Sequence, residues 1–273
     1  MYEAYWQLAA KPFENTSDTR FYYPAEPHQG ALLKLRYAVE NRRSAALLAG
    51  GSGLGKSLIV QSLLRHLGDT YGPRPQLVFP QMPPDQLLAY LAESLTGTAC
   101  DGSPPTVQQS VRRIEQQLAE NVRAGRHAVV VIEDAQDLSE SHALETIRLL
   151  LNFEFAATTP LTVLLVGQPP LLTVLDRLPE LDERLAVKCL LRRLTRDESI
   201  CYIQHRLQAA GAQRAIFDTA ALEAVHELAL GVPRRINRLC DLALLIGFAE
   251  ERTSLGRAQI EAVADELVAV AAD

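Results

Sequence analysis

The sequence predicts an α/β fold, a parallel sheet wound with helices, followed by a smaller all-helical domain. Three observations carry that reading. Gly50-Gly51-Ser52-Gly53-Leu54-Gly55-Lys56-Ser57 fits the pattern G-x-x-x-x-G-K-[ST] between an apolar run (Ala45 to Ala49) and an amphipathic one (Leu58 to Leu67). The uninterrupted runs Ala128 to Ile132 and Leu161 to Val166 have the composition of strands covered on both faces, and helical patterns separate them. From Thr195 onward only helical patterns remain.

Residues 1–43 form a lead-in to the nucleotide pocket. It holds Lys11-Pro12-Phe13, the polar turn Asn15-Thr16-Ser17-Asp18, the aromatic cluster Phe21-Tyr22-Tyr23-Pro24 and a helix from His28 to Glu40. Residues 44–194 form the α/β domain. Its first strand and loop helix lead to a short strand (Gln76 to Phe79), a helix (Pro84 to Leu95), a polar loop (Thr96 to Pro105) and a long helix (Val107 to Arg123). The run at 128–132, a helix from Glu140 to Phe155, the run at 161–166 and an edge strand from Ala186 to Leu191 complete it. Strands alternating with helices imply a parallel sheet with right-handed crossovers. Residues 195–273 carry helices over Arg196–Ala209, Thr219–Leu230, Arg234–Glu250 and Gly256–Val268, separated at Gly211, Gly231-Val232-Pro233 and Ser254.

Composition narrows the class. With 273 residues, 48% hydrophobic and 22% charged, the chain suffices for one large core or two smaller ones. No apolar stretch approaches the ~20 residues that span a bilayer, and Met1-Tyr2-Glu3-Ala4-Tyr5-Trp6 lacks the order of a signal peptide. A cytoplasmic location without direct membrane insertion is therefore expected. Cys100, Cys189, Cys201 and Cys240 have neither C-x-x-C nor metal-ligand spacing and read as free thiols. The net charge of −6 argues against a uniformly basic surface. Local basic pairs, Arg42-Arg43, Arg112-Arg113, Arg192-Arg193 and Arg234-Arg235, are either solvated element ends or part of a DNA path.

The glycine-rich segment has the chemistry of a phosphate loop: its N–H groups turn toward phosphate oxygens, and the next helix presents its positive dipole end. Lys56 is placed to reach the β- and γ-phosphates and Ser57 to hold Mg²⁺. Hydrolysis also needs acids. The strand at 128–132 delivers Glu133-Asp134 at its C-terminal end, where open α/β sheets hold ligands. Either one acid orients the Mg²⁺ shell and the other polarises water, or the acids, with Asp137, cap a helix.

These motifs, with Glu133-Asp134-Ala135-Gln136-Asp137-Leu138, Gly167-Gln168-Pro169-Pro170-Leu171 and Gly231-Val232-Pro233-Arg234-Arg235-Ile236-Asn237-Arg238-Leu239-Cys240, resemble AAA+ ATPases of the ExeA type. That group includes secretion and pilus proteins. The N-terminal Lys11-Pro12-Phe13, Asp18, Phe21-Tyr22-Tyr23 and His28 extend the resemblance over nearly the whole chain. It implies a P-loop NTPase (AAA+) domain with a helical lid, ATP and Mg²⁺ as cofactors, Ser57 and Glu133 at the metal, and Gln168 as sensor 1. It further implies Arg184 as an arginine finger acting on a neighbouring subunit, and hence a homo-oligomer, with Arg234 as sensor 2.

Two departures from the family pattern stand out. Glu133-Asp134 inverts the usual Asp-Glu order, and Thr16-Ser17-Asp18 replaces a Pro-Asp step. A methylene alters reach by roughly 1.5 Å, and ~1 Å misplacement can cost ~100-fold, so slow hydrolysis with intact ATP binding is expected. The resemblance implies an ATPase driving assembly or remodelling of a secretion or pilus-type partner. The other readings are a DNA-associated regulator of the transposition kind and a nucleotide-dependent scaffold.

Overall fold

The computed structural model describes residues 1–16, 18–99, 104–141 and 143–269. Ser17 of the polar turn, Cys100 and the rest of 100–103, and His142 within the expected 140–155 helix lie outside them. In chain order the elements are α1 (Tyr2–Tyr5), α2 (Glu26–Glu40), β1 (Ala45–Gly50), α3 (Lys56–His66), β2 (Gln76–Leu77), α4 (Pro84–Thr96), α5 (Val107–Arg123) and β3 (Ala128–Ile132). Then come α6 (Ala143–Leu150), β4 (Leu161–Gly167), α7 (Pro170–Leu175), α8 (Pro179–Asp182), β5 (Leu185–Leu191), α9 (Arg196–Ala209), α10 (Thr219–Ala229), α11 (Pro233–Ala249) and α12 (Arg257–Ala269). The chain divides into two compact units. One comprises residues 29–52 and 59–191; the other comprises 1–28, 53–58 and everything from Arg192 on.

The first unit is the α/β one. Its five strands lie in the order β2-β3-β4-β1-β5, and every neighbouring pair is parallel. Strands β1, β3 and β4 are buried at every position, as expected of a parallel sheet covered on both faces. Leu47, Val130, Ile132 and Leu165 of the sheet share a core with Leu87, Leu91, Leu118 and Ile147 of the helices. Edge strand β5 alternates instead, with Leu185, Cys189 and Leu191 inward and Ala186, Lys188 and Leu190 outward. Helix α5 starts in a capping box: Thr106 Oγ1 accepts from Gln109 N at 3.3 Å, while Thr106 N donates to Gln109 Oε1 at 2.8 Å.

Some sequence expectations change here. Strand β2 ends at Leu77 rather than Phe79, because Val78 and Phe79 face solvent and Pro80 has no N–H to continue a ladder. The helix expected over Glu140–Phe155 is a 3₁₀ stretch, Ala135–Ser141, followed by α6. Ala143, Leu144, Ile147, Leu150 and Leu151 keep helical spacing into the core; beyond them Ala156 and Ala157 adopt positive φ, and Phe155 and Thr158 form a short antiparallel bridge. Helices α7 and α8 begin on prolines, whose fixed φ suits a first helical turn.

His127, fully buried at the start of β3, lies 2.8 Å from Thr162 Oγ1 on β4. The Thr162 hydroxyl donates to the Arg43 carbonyl at 2.6 Å, so His127 Nε2 carries the hydrogen and donates to it. Burial, reinforced by nearby Arg42, pushes the His127 pKa from 6.5 down to about 4. The unfolded chain takes up this proton below 6.5 and the folded chain only near 4, so the associated stability is complete above 6.5 and is lost as pH falls toward 4. In urea unfolding the wild type should lose about 2 kcal/mol more than a His127→Gln variant between about pH 7.5 and pH 5. Equal losses would refute the assignment.

The second unit is helical. Trp6, Phe13 and Phe21 of the N-terminal segment share its core with Ile203, Val225, Ile236, Leu244 and Ile260 of α9–α12, and Trp6 Nε1 donates to Leu244 O at 2.9 Å. Thr195 and Glu198 form a second capping box at the start of α9, and Asp218 caps α10 through Ala221 N at 2.7 Å. Arg206 is buried, and its guanidinium is held by neutral oxygens. It donates to the Pro12 carbonyl, to Glu14 O at 2.9 Å and to Tyr202 Oη at 2.9 Å, with its guanidinium 4.8 Å from the Phe21 ring centroid. Tyr202 donates in turn to Asn237 Oδ1 at 2.8 Å, and Asn237 to Asn15 Oδ1 at 2.9 Å. Cys189, Cys201 and Cys240 are free. Among the described residues no helix is long and apolar enough to cross a membrane.

Candidate functional site

Parallel register brings three of the predicted segments to one edge of the sheet. Ala49 near the end of β1 pairs with Gly167 of β4 and Leu190 of β5, and Ile132 at the end of β3 pairs with Leu165 of β4. Gly50-Gly51-Ser52, Gln168 and Glu133-Asp134 therefore follow the carboxyl ends of three adjacent strands, where open α/β sheets bind ligands.

The acid pair is held by short-range bonds. Glu133 is half-buried, and its N–H extends the β2–β3 ladder by donating to Leu77 O at 2.9 Å. Asp134 is exposed at φ 47, left-handed backbone that aspartate tolerates better than most residues. Its carbonyl accepts from Asp137 N at 2.9 Å, which opens the 3₁₀ turn. Asp137 Oδ2 accepts from Gln81 Nε2 at 3.1 Å.

Gln136 connects the acid to the next strand. Its Nε2 donates to Asp134 Oδ1 at 3.2 Å, while its Oε1 accepts from Gln168 N at 2.9 Å. Gly167 makes this possible: a Cβ there would stand 2.8 Å from Gln136 Oε1 and 2.8 Å from Leu171 Cδ2. Sequence reasoning gave Gln136 no role, since one glutamine in a loop carries no signal until the two strand ends are side by side.

Arg184 is not brought to this edge. It precedes Leu185, which pairs with Ala45 at the opposite end of β1 from Gly50, roughly 17 Å away along the strand. Its guanidinium is exposed and donates to Asn152 Oδ1 at 2.9 Å.

The rest of the glycine-rich loop, Gly53 to Ser57, belongs to the helical unit. Gly53 and Gly55 adopt φ +78 and +91, conformations that favour glycine. A Cβ on Gly53 would lie 2.7 Å from Arg234 Cβ, and one on Gly55 would lie 3.3 Å from His28 Nε2. Arg234, exposed in the first turn of α11, donates its backbone N–H to Gly53 O at 3.2 Å. His28, only 7% exposed, places Nε2 2.8 Å from Leu54 O. Burial lowers its pKa below the usual 6.5, more than the Leu54 contact and Glu198 raise it, and Arg192 adds to the lowering. Helix α3 starts at Lys56, so the positive end of its dipole faces the loop. Arg234 and His28 pack where side chains at Gly53 and Gly55 would stand, so the loop is bare left-handed main chain ahead of a helix N-terminus, which suits a triphosphate anion. Hydroxyl and carboxylate oxygens, carried by Ser57 in one unit and by Glu133 and Asp134 in the other, are of the kind Mg²⁺ takes as ligands.

Comparison with known proteins bears on the family and the fold. A family model for an AAA domain matches residues 39–175, half of the chain. General secretion pathway protein A of Aeromonas hydrophila is 30% identical over 269 residues, covering 98% of this chain and 48% of that protein, so the chain spans about half the length of that relative. Among solved structures, the Aeropyrum pernix ORC2 protein (ADPNP-ADP complexes) matches with TM-score 0.71 at 15% identity, over 94% of this chain and 71% of that one. The Holliday junction branch migration motor RuvB of Thermotoga maritima matches with TM-score 0.59 at 17% identity, over 89% and 69%. These structural likenesses establish a shared fold. By its family match the chain belongs to the AAA domain family, and it is similar over nearly its whole length to general secretion pathway protein A.

Proposed function

We propose that the chain binds ATP with Mg²⁺ and hydrolyses it to drive assembly or remodelling of a partner complex. The observation that carries this is the loop at 50–57, with two left-handed glycines ahead of a helix that opens on Lys56. The loop amides and Lys56 bind phosphate oxygens, Ser57 and Glu133 hold the metal, and Asp134 orients the attacking water. The bound metal would offset charge on the phosphates. Gln136 fixes the Asp134 carboxylate and the Gln168 backbone together, which supports a sensor role for Gln168. Arg234, whose backbone already engages the loop, would report occupancy to α11.

Arg184 lies at the far end of its own β1, a position suited to serving a neighbour's nucleotide rather than its own. A homo-oligomer follows from that assignment. Similarity to general secretion pathway protein A favours a secretion or pilus-type partner over DNA.

Steady-state ATP turnover tests the reading. Turnover per subunit should rise with protein concentration, and Asp134→Asn and Arg184→Ala should each lower it about 100-fold with ATP binding retained. A wild type that binds ATP yet stays at background, while the Glu133→Asp, Asp134→Glu double variant turns over, would instead establish a nucleotide-dependent scaffold.

A further inference from the structure

We propose that His28 is a positioning residue of the nucleotide loop: its Nε2–H pins the Leu54 carbonyl outward, which aims the Gly55 N–H at the phosphates. The inference rests on the ATP-binding reading and adds to it a residue outside the loop motif. Its basis is peptide planarity. In a trans peptide the carbonyl of one residue and the N–H of the next point in opposite directions. Fixing Leu54 O against His28 therefore fixes where Gly55 N–H points, as fixing Gly53 O against Arg234 N fixes Leu54 N–H. A polyanion needs N–H groups facing it and is repelled by any carbonyl that turns inward. Loop glycines rotate easily, so an external restraint on their carbonyls is what keeps the cradle formed before ligand arrives.

Three further observations fit His28 to this task. A carbonyl can only accept, so Nε2 must carry the hydrogen and Nδ1 of the neutral ring is bare. Nδ1 is buried and finds no hydrogen-bond partner among the described residues, so the Leu54 contact is the ring's anchoring bond. The ring also lies against Gly55, the residue whose N–H it would aim, at a distance that leaves no comfortable room for a side chain there. The ring stays neutral near pH 7: burial disfavours the charged form, and the facing charges of Glu198 and Arg192 act in opposite directions.

The test is titration of the full chain with a fluorescent ATP analogue and Mg²⁺. His28→Leu keeps the volume and removes the donor; His28→Gln puts an amide N–H near the Nε2 position; His28→Asn has an amide too short to reach. Affinity should fall about tenfold for Leu and Asn and stay within about threefold of wild type for Gln, with similar melting temperatures without nucleotide. Leu binding like wild type, or Gln as weak as Leu, would overturn the donor role. If the Leu variant does not fold, equal affinities for Asn and Gln would overturn it. A wild type that binds no better than Lys56→Ala would instead remove the ATP-binding reading and this inference with it.

Discussion

Replacing Lys56 with alanine should weaken binding of a triphosphate about 100-fold or more. In the assigned role its ammonium meets two phosphate groups, and hydrogen bonds to charged partners are worth about 1.5–3 kcal/mol each. The fold should tolerate the change, since Lys56 is the first residue of α3 and is not part of either hydrophobic core. Alanine is also the better helix former. Titration with a fluorescent ATP analogue, alongside a melting curve without ligand, separates the two effects. Affinity within fivefold of wild type would end the assignment of the loop.

Gly231→Ala should be the most damaging single substitution in the helical unit. The position has φ +67, and a Cβ there would lie 2.1 Å from Leu194 O, 3.1 Å from Leu194 C and 3.2 Å from Leu194 N. All three neighbours are backbone, so no side chain can swing aside. The Gly231 carbonyl meanwhile accepts from Leu194 N at 2.9 Å, which ties the two segments face to face. Left-handed strain and the overlap together should cost about 3–5 kcal/mol, lowering the melting temperature by about 10 °C or more. The damage should reach nucleotide binding as well, because Arg234, three residues on, donates to Gly53 O. A variant that melts within 2 °C of wild type would show that this turn yields readily.

The parts of the fold legible in the sequence were those with a strong period. Ala128–Ile132 is a strand within its predicted bounds, since a doubly covered strand needs apolar residues throughout and little else produces five in a row. The helices at 107–123 and 196–209 also have their predicted bounds, each opening on a Thr-x-x-Gln or Thr-x-x-Glu box. What stayed hidden depends on tertiary partners. Helix α1 is four residues long, and Tyr2 and Trp6 are buried only because α11 offers them a surface and Leu244 a carbonyl. For the candidate site, the places of the loop and the acid pair at strand ends were readable from motif and strand position, and Gln168 was singled out by the family resemblance. Gln136 and His28 were not assigned tasks, because each acts through a bond to a backbone atom distant in sequence, which leaves no local pattern.

The two margins of the sheet differ in how they resist sticking to other chains. One margin, β2, is only two residues long and offers little to an incoming strand. The other, β5, runs for seven residues, and its outward row includes Lys188, whose ammonium bonds Asp182 at 2.6 Å. A stranger adding itself there would have to strip water from that ion pair. Lys188→Val should thus leave each subunit well folded yet make the protein precipitate more readily on concentration, a gatekeeping duty unrelated to nucleotide chemistry.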